Sequence, residues 1–188
     1  ELVRFAMAGE KVASGAEHAD NAAPSLLGGI ILIRSYNPLE VISLAVPEKL
    51  MVIVVHPDIE LLTKNSRAVL PKTISLKDGI AQWSNTAALV AGLYTNDYSL
   101  IGRSVSDRIA EPHRAALIPC FNEVKAIAII HGALACNISG SGPSIFALAE
   151  GKSRAAEIAK AMKKEFSKYK IKSTSYISAV NRRGATIL

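Results

Sequence analysis

The chain of 188 residues sets 22 Lys and Arg against 16 Asp and Glu, a net charge of +6, and is 49% hydrophobic, 20% charged and 5% aromatic. That length suffices for a buried core in one domain or one and a half, that composition excludes intrinsic disorder, and no apolar run reaches the roughly 18 residues needed to cross a bilayer. The basic balance favours anionic ligands, but no basic stretch is interleaved with aromatics that could stack bases, which argues against a nucleic-acid reader.

No initiator methionine is present, and the residues from Glu1 to Ala13 already carry a helical pattern, with Leu2, Phe5, Ala6 and Ala13 on related faces. The chain is therefore expected to begin inside a fold. A turn and a helix start follow between Gly15 and Pro24, with Asp20 or Asn21 placed to cap the helix and Pro24 tolerated in its first turn. After Gly28-Gly29 the period changes, and Ile30 to Arg34, Glu40 to Val46 and Met51 to His56 read as short antiparallel strands.

Glu60 to Leu70 has helical spacing and stops at Pro71. Lys77 to Tyr94 is a longer helix that should turn Ile80, Trp83, Ala87, Val90 and Ala91 towards a core. A polar, broken region from Asn96 to Pro119 precedes a helix from Phe121 to His131 or beyond, which runs into a glycine loop. Beyond it come a strand through Leu148, a basic helix from Ser153 to Lys168 with a solvated face, and strands near Ser173 to Val180 and Ala185 to Leu188. Strand, helix, strand, strand, helix, strand is the order of a ferredoxin-like sandwich. Cys120 and Cys136 sit in apolar surroundings without metal-ligand spacing, so they read as buried thiols in a reducing cytoplasm.

Chemistry concentrates in Asn137-Ile138-Ser139-Gly140-Ser141-Gly142-Pro143-Ser144. Its glycines permit positive φ and close approach of backbone N–H groups to an anion, with three hydroxyls beside them, although a glycine-rich hairpin turn has the same composition. Upstream lie Glu10; His18 with Asp20 and Asn21; Thr63 with Arg67; and Arg114. Singly these are surface charges and caps; together they offer carboxylate, imidazole, amide, two guanidinium groups and N–H donors.

Glu10 followed by His18-Ala-Asp20-Asn21-Ala-Ala-Pro24, then Arg34 to Leu39, Thr63 to Pro71 and Ser139-Gly-Ser-Gly-Pro-Ser144, resembles the homoserine kinases of the GHMP kinase superfamily over essentially the whole chain. The resemblance implies an α+β GHMP kinase fold, with residues 1–37 completing an amino-terminal nucleotide-binding domain and 38–188 forming a ferredoxin-like carboxy-terminal domain. It implies transfer of the γ-phosphoryl of ATP to the hydroxyl of L-homoserine on the route to threonine. Glu10 would bind Mg²⁺, Arg67 and Arg114 would hold the substrate carboxylate, and His18, Asp20 and Asn21 would position its amine and hydroxyl. Gly140 would complete the substrate side, and Thr63, Ser139, Ser141 and Gly142 the phosphate side. Asp20 is the one carboxylate placed to act as a base, and positioning or capping explains it better.

The superfamily's Pro-x-x-x-Gly-Leu-Gly-Ser-Ser-Ala-Ala phosphate loop has no counterpart here, so the chain reads as a carboxy-terminal portion that is nearly inactive alone. Two alternatives stand beside this reading: a GHMP kinase for mevalonate or a diphosphocytidyl methylerythritol, and a noncatalytic amino-acid-binding domain. The expected partners are ATP and L-homoserine, with neither nucleic acid nor membrane, and a homodimer is compatible with the sequence.

Overall fold

The computed structural model describes residues 1–14 and 18–186, and the chain divides into two units, Glu1–Glu48 with Val180–Leu188, and Lys49–Ala179. The boundary expected between residues 37 and 38 lies in the turn of a hairpin that belongs wholly to the first unit.

In the first unit, helices α1 (Leu2–Ser14) and α2 (Ala22–Leu27) precede an antiparallel hairpin of β1 (Ile30–Tyr36) and β2 (Leu39–Leu44). Val3 and Met7, one helical turn apart on α1, pack with Ala19 and Ala23 and against Leu26, Ile31 and Val41. The helix forms as its pattern indicated, and Leu2 and Phe5 lie on its exposed side, both more than 70% exposed. Both faces of α1 are apolar, and the one that meets the small side chains of Ala19 and Ala23 is the one that packs closely. Neither expected cap bonds to α2: Asn21 occupies the N-cap with near-helical φ −99° and ψ −40° and makes no side-chain cap bond. An extended N-cap conformation is what brings the side chain over the free N–H groups. Asp20 accepts only from the adjacent Asn21 N–H, at 3.2 Å. The turn expected at Gly15 lies outside the described residues.

The returning carboxy-terminal segment closes this unit through a backbone crossing. The Gly29 N–H donates to the Asn181 carbonyl at 2.7 Å, and Arg182 Nη2 donates to the Val46 carbonyl at 2.7 Å. Gly28 has φ +74° and ψ −177°, and a Cβ there would stand 2.3 Å from the Gly184 nitrogen. Two strands of backbone meet where no side chain fits. Ala185 and Thr186, expected in a strand, carry none, and 187–188 lie outside the described residues.

The second unit is built on a four-stranded antiparallel sheet of β3 (Leu50–Pro57), β4 (Ala135–Ile138), β5 (Ile145–Glu150) and β6 (Ser173–Ala179), in the order β4-β5-β3-β6. Between β3 and β4 run α3 (Thr63–Ala68), α4 (Leu76–Thr95), α5 (Tyr98–Ser104), α6 (Glu111–Arg114), a 3-10 turn (Ala115–Leu117) and α7 (Phe121–Ile130); α8 (Lys152–Lys168) joins β5 to β6. This is the expected ferredoxin-like order. Alternate residues of the central strands, Ile53 and Val55 with Ile145 and Ala147, face Val124 of α7 and Ile158, Met162 and Phe166 of α8 in one core. Each large side chain buried there contributes on the order of 2 kcal/mol, and the lysines of α8 at 160, 163 and 164 line its exposed side.

Two expectations change. The apolar run after Phe121 is not one long helix: α7 stops at Ile130, Gly132 turns the chain at φ +87°, and β4 follows. Helix α4 forms as expected, capped by Ser75, whose Oγ accepts the Asp78 N–H at 3.0 Å, but Ile80, Trp83, Ala87 and Ala91 face solvent and Val90 is half-buried. The side buried within this unit is narrow, formed by Gly79, Gly92 and Leu93. Gly92 lets α4 lie against α5, since a Cβ there would come 3.0 Å from Ile101 Cγ1.

Two predictions follow from packing. Gly28→Ala should lower unfolding stability by about 3 kcal/mol or more, from the glycine-only backbone region plus the collision. Gly29→Ala, at φ +74° with nothing within 4 Å, should cost about 1–2 kcal/mol; equal losses in urea melts would contradict the crossing. Burial, reinforced by Glu123 and Glu165, pushes the Cys120 thiol up to about 11, and burial with Glu111 outweighs Lys125 in pushing Cys136 up to about 12. The native state thus keeps protons that unfolded thiols release from about pH 9. Their stabilising contribution is complete below pH 9 and is lost as pH rises through 11 to 12. A Cys136→Ala variant should show a shallower loss of urea stability between pH 9 and 11 than the parent.

Candidate functional site

The glycine loop joins β4 to β5, whose last and first residues, Ile138 and Ile145, are paired across the hairpin. It closes on itself: the Ser139 N–H donates to the Ser144 carbonyl at 2.8 Å and the Gly142 N–H to the Ser139 carbonyl at 2.9 Å. Gly140 and Gly142 take φ +57° and +78°. At Gly142 a Cβ would lie 3.0 Å from Ile118 Cδ1, whereas at Gly140 nothing stands within 4 Å. Gly142 therefore faces the protein, and Gly140 is the open corner a ligand can approach. The N–H groups of Gly140 and Ser141 have no protein partner among the described residues, so this corner offers two donors where the sequence suggested a longer bed.

Three elements hold that corner. From α3, the fully buried Ser66 donates its hydroxyl to the Ser141 carbonyl at 2.6 Å, and Thr63 Oγ1 lies 3.4 Å from Ser141 Oγ. From α6, Arg114 donates Nε to the Ser66 carbonyl at 3.1 Å and Nη1 to the Gly140 carbonyl at 2.9 Å. From β3, His56 Nδ1 lies 2.9 Å from Ser144 Oγ. The structure thus brings Thr63, Arg114, Gly140 and Ser141 together, with Ser139 and Gly142 closing the turn. Arg67, exposed at the last turn of α3, stands one residue beyond Ser66.

Arg114 owes its position to a network beneath it. The Asp107 carboxylate accepts the N–H groups of Ile109 and Ala110, both at 2.8 Å, and of Glu111 at 3.1 Å, fixing the start of α6. Glu111 pairs with Lys125 of α7, and Lys125 Nζ also donates to Asn137 of β4 at 3.2 Å. Glu111 Oε2 is buried without a hydrogen-bond partner among the described residues. A charged network with an unsatisfied oxygen is a costly arrangement for stability alone. What it does here is couple the helix bearing Arg114 to the strand that enters the glycine loop.

The remaining expected residues lie in the first unit. Glu10 is half-buried on α1, His18 is half-buried beside the fully buried Ala19, and Asp20 and Asn21 are exposed, with side chains that cap nothing. Among the described residues no three His, Cys, Asp or Glu side chains gather as a metal cage, and no helix is long and apolar enough to cross a membrane.

Sheet order and glycine loop define a class, and comparison with known proteins agrees: residues 89–168 match the family of GHMP kinases C terminal. The fold is that of the GHMP kinases, and residues 89–168 are the part that matches their carboxy-terminal domain. Over its full length the chain is similar to homoserine kinases. It is 54% identical to the homoserine kinase of Chlorobium phaeovibrioides over 100% of this chain and 59% of that protein. It superposes on the crystal structure of homoserine kinase from Cytophaga hutchinsonii with a TM-score of 0.98 and 52% identity, covering 100% of this chain and 60% of that one. The L. major mevalonate kinase shares the fold alone, at TM-score 0.70 and 17% identity over 97% of this chain and 57% of its own. The chain spans about three-fifths of the length of the curated relatives it matches.

Sequence reasoning did not find Ser66, His56 or the Glu111, Lys125 and Asn137 network. A polar Asn137 in an otherwise apolar strand was the one available signal. Arg114→Lys should break the cross-brace, because an ammonium cannot reach two carbonyls in the planar geometry of a guanidinium. Amide exchange at Ser139 and Gly142, whose N–H groups are bonded within the loop, should quicken by roughly 10-fold to 100-fold, the worth of one charge-assisted bond; unchanged exchange would show that the loop holds without the arginine.

Proposed function

We propose that the protein catalyses transfer of the γ-phosphoryl group of ATP to the side-chain hydroxyl of L-homoserine, giving O-phospho-L-homoserine on the route to threonine. The observation that carries this reading is homology to homoserine kinases along every part of the chain, at 54% identity. Within that reading residues 1–48 belong to the nucleotide-binding domain and 49–179 to the carboxy-terminal domain, the expected change at 37 to 38 falling inside the β1–β2 hairpin.

The residues lend themselves to the parts they would play. Arg67 and Arg114 would pair with the amino acid's carboxylate. Nε and one Nη1 hydrogen of Arg114 are engaged with Ser66 and Gly140, so its outer Nη1 and Nη2 edge is the one left for a carboxylate. His18, Asp20 and Asn21 would position the amine and hydroxyl, and the Asn21 side chain makes no cap bond to α2 that would compete with that task. The N–H groups of Gly140 and Ser141 would face anionic oxygen, with Thr63, Ser139 and Gly142 shaping the loop around them.

Mg²⁺ asks for one or two protein carboxylates, its other ligands being phosphate and water. Glu10 supplies one, so the donor set fits even without a cage of acidic residues. A bound Mg²⁺ would neutralise charge on the phosphate oxygens of ATP. Phosphoryl transfer rests on alignment and charge stabilisation, and no dedicated base is required, which leaves Asp20 a positioning role. The two free thiols accord with a cytoplasmic setting.

Calorimetric titration separates this reading from other small-molecule kinases. L-homoserine should bind and mevalonate, which lacks the amine, should not. Arg67→Ala should weaken homoserine roughly 10-fold to 100-fold, the worth of a charge-assisted hydrogen bond. Binding of mevalonate in preference to homoserine would overturn the assignment, as would homoserine binding indifferent to Arg67.

A further inference from the structure

Between α7 and α8 runs a groove of about 460 Å³. Its floor is apolar, formed by the half-buried Ile127 of α7 and the buried Ala161 of α8, and its rim is cationic, formed by the exposed His131, Lys160 and Lys164. The two lysines stand one helical turn apart, about 6 Å along the axis. Like charges at that spacing work against a helix, and neither lysine forms an ion pair among the described residues. The positive stretch is also short. Glu157 lies three residues before Lys160, and beyond Lys164 the next charges are the buried Glu165 and Lys168, which are bonded to each other at 2.6 Å. Ile127 is two residues on from Lys125, about 200° round α7. The groove therefore lies on the side of that helix away from the contacts Lys125 makes with Glu111 and Asn137.

We propose that this groove binds a small phosphate monoester, its phosphate held by Lys160, Lys164 and His131 and its uncharged remainder laid on Ile127 and Ala161. A phosphate ester carries about 1.5 to 2 negative charges near pH 7, so it calls for more than one cation, and two ammonium groups a turn apart can share its oxygens. Lysine suits a tetrahedral phosphate as a compact charge with three rotatable donors. An imidazole N–H donates from the facing helix whether or not the ring is charged. The neighbours of the lysine pair set the size of the anion. A longer polyanion would run onto Glu157 at one end and, at the other, would meet a lysine already paired with Glu165. Inorganic phosphate would leave the apolar floor uncovered, whereas an ester covers it and packs against the methylene stems of the lysines. The volume lies within the range of about 300–1,000 Å³ common to small-molecule sites. This site stands apart from the Gly140 corner and does not depend on the homoserine reading.

Phenyl phosphate, titrated into nitrogen-15-labelled protein at about 0.15 M salt, where diffuse attraction is screened, tests this directly. Amide resonances of α7 and α8 around Ile127 and Ala161 should shift together along one saturable curve, and phenol should leave them in place. Lys160→Ala combined with Lys164→Ala should weaken binding by on the order of 10-fold or more, and His131→Ala, on the facing wall, by roughly 3-fold to 10-fold. Removing the same charge elsewhere, by Lys152→Ala with Lys170→Ala, should change it by less than about 2-fold. Should the lysine pair disturb α8, the His131→Ala titration carries the test. Absence of saturable shifts in α7 and α8 overturns the proposal, as does equal weakening by the two lysine pairs, which would mean diffuse attraction. Shifts confined to Ser139 to Gly142 overturn it too, since the glycine loop would then be the anion's site. No amino-acid substrate is present in these titrations, so their outcome and that of the homoserine titration are read separately.

Discussion

The guanidinium of Arg114 lies between two backbone carbonyls, that of Ser66 on α3 and that of Gly140 in the loop between β4 and β5. It joins a crossover connection to a hairpin far from it in sequence. Neither partner is charged, so the bonds draw on one cation and lose no pairing when the side chain also meets an anion. Ser66 adds a second tie, accepting at its carbonyl while donating its hydroxyl to Ser141. An open corner such as Gly140, where an added Cβ would meet nothing within 4 Å, would otherwise be the least constrained part of the hairpin. A ligand that arrives at such a corner gains from finding it already in place, because ordering it then would consume binding energy.

Below the brace, the unsatisfied Glu111 oxygen gives the logic of the network. A buried carboxylate with one oxygen paired to Lys125 and the other unpaired is poor material for a core. Apolar residues of similar volume would stabilise the unit as well or better. Its value is directional: Asp107 fixes the start of α6, Glu111 sets its position against α7, and Arg114 then emerges one turn later at the height of the glycine loop. Stability is given up to aim a side chain.

Periodicity made most of the architecture legible. The hairpin of the first unit, the central strand β3, the basic helix α8 and the order of the sandwich could all be read from alternation and turn residues. What could not be read was which neighbour an apolar face would meet. Leu2 and Phe5 on α1, like Ile80 and Trp83 on α4, satisfy the helical pattern and yet face away from their own unit's core. Hydrophobicity specifies that a surface should be covered, not by what. Strand β4 was hidden because the run from Ala126 to Ala135 is apolar except at His131-Gly132, where the break falls. At the site, the loop was visible because glycine is required locally by positive φ. The brace was not, since Ser66 and Arg114 meet only through tertiary structure, and a serine inside a short helix carries no signal of its bond to Ser141.

The first unit is interrupted in the chain, for residues 49–179 intervene between its two pieces. The strands that begin and end this interruption are neighbours in one ladder, with Met51 opposite Ala179. The intervening unit thus has the topology of a cassette, entered and left at adjacent points on the same sheet. In vectorial synthesis the cassette has all its strands before the first unit receives the segment that crosses Gly28. The amino-terminal unit is therefore the last to be completed, and a ribosome stalled short of residue 180 would release a finished sandwich attached to an unfinished neighbour.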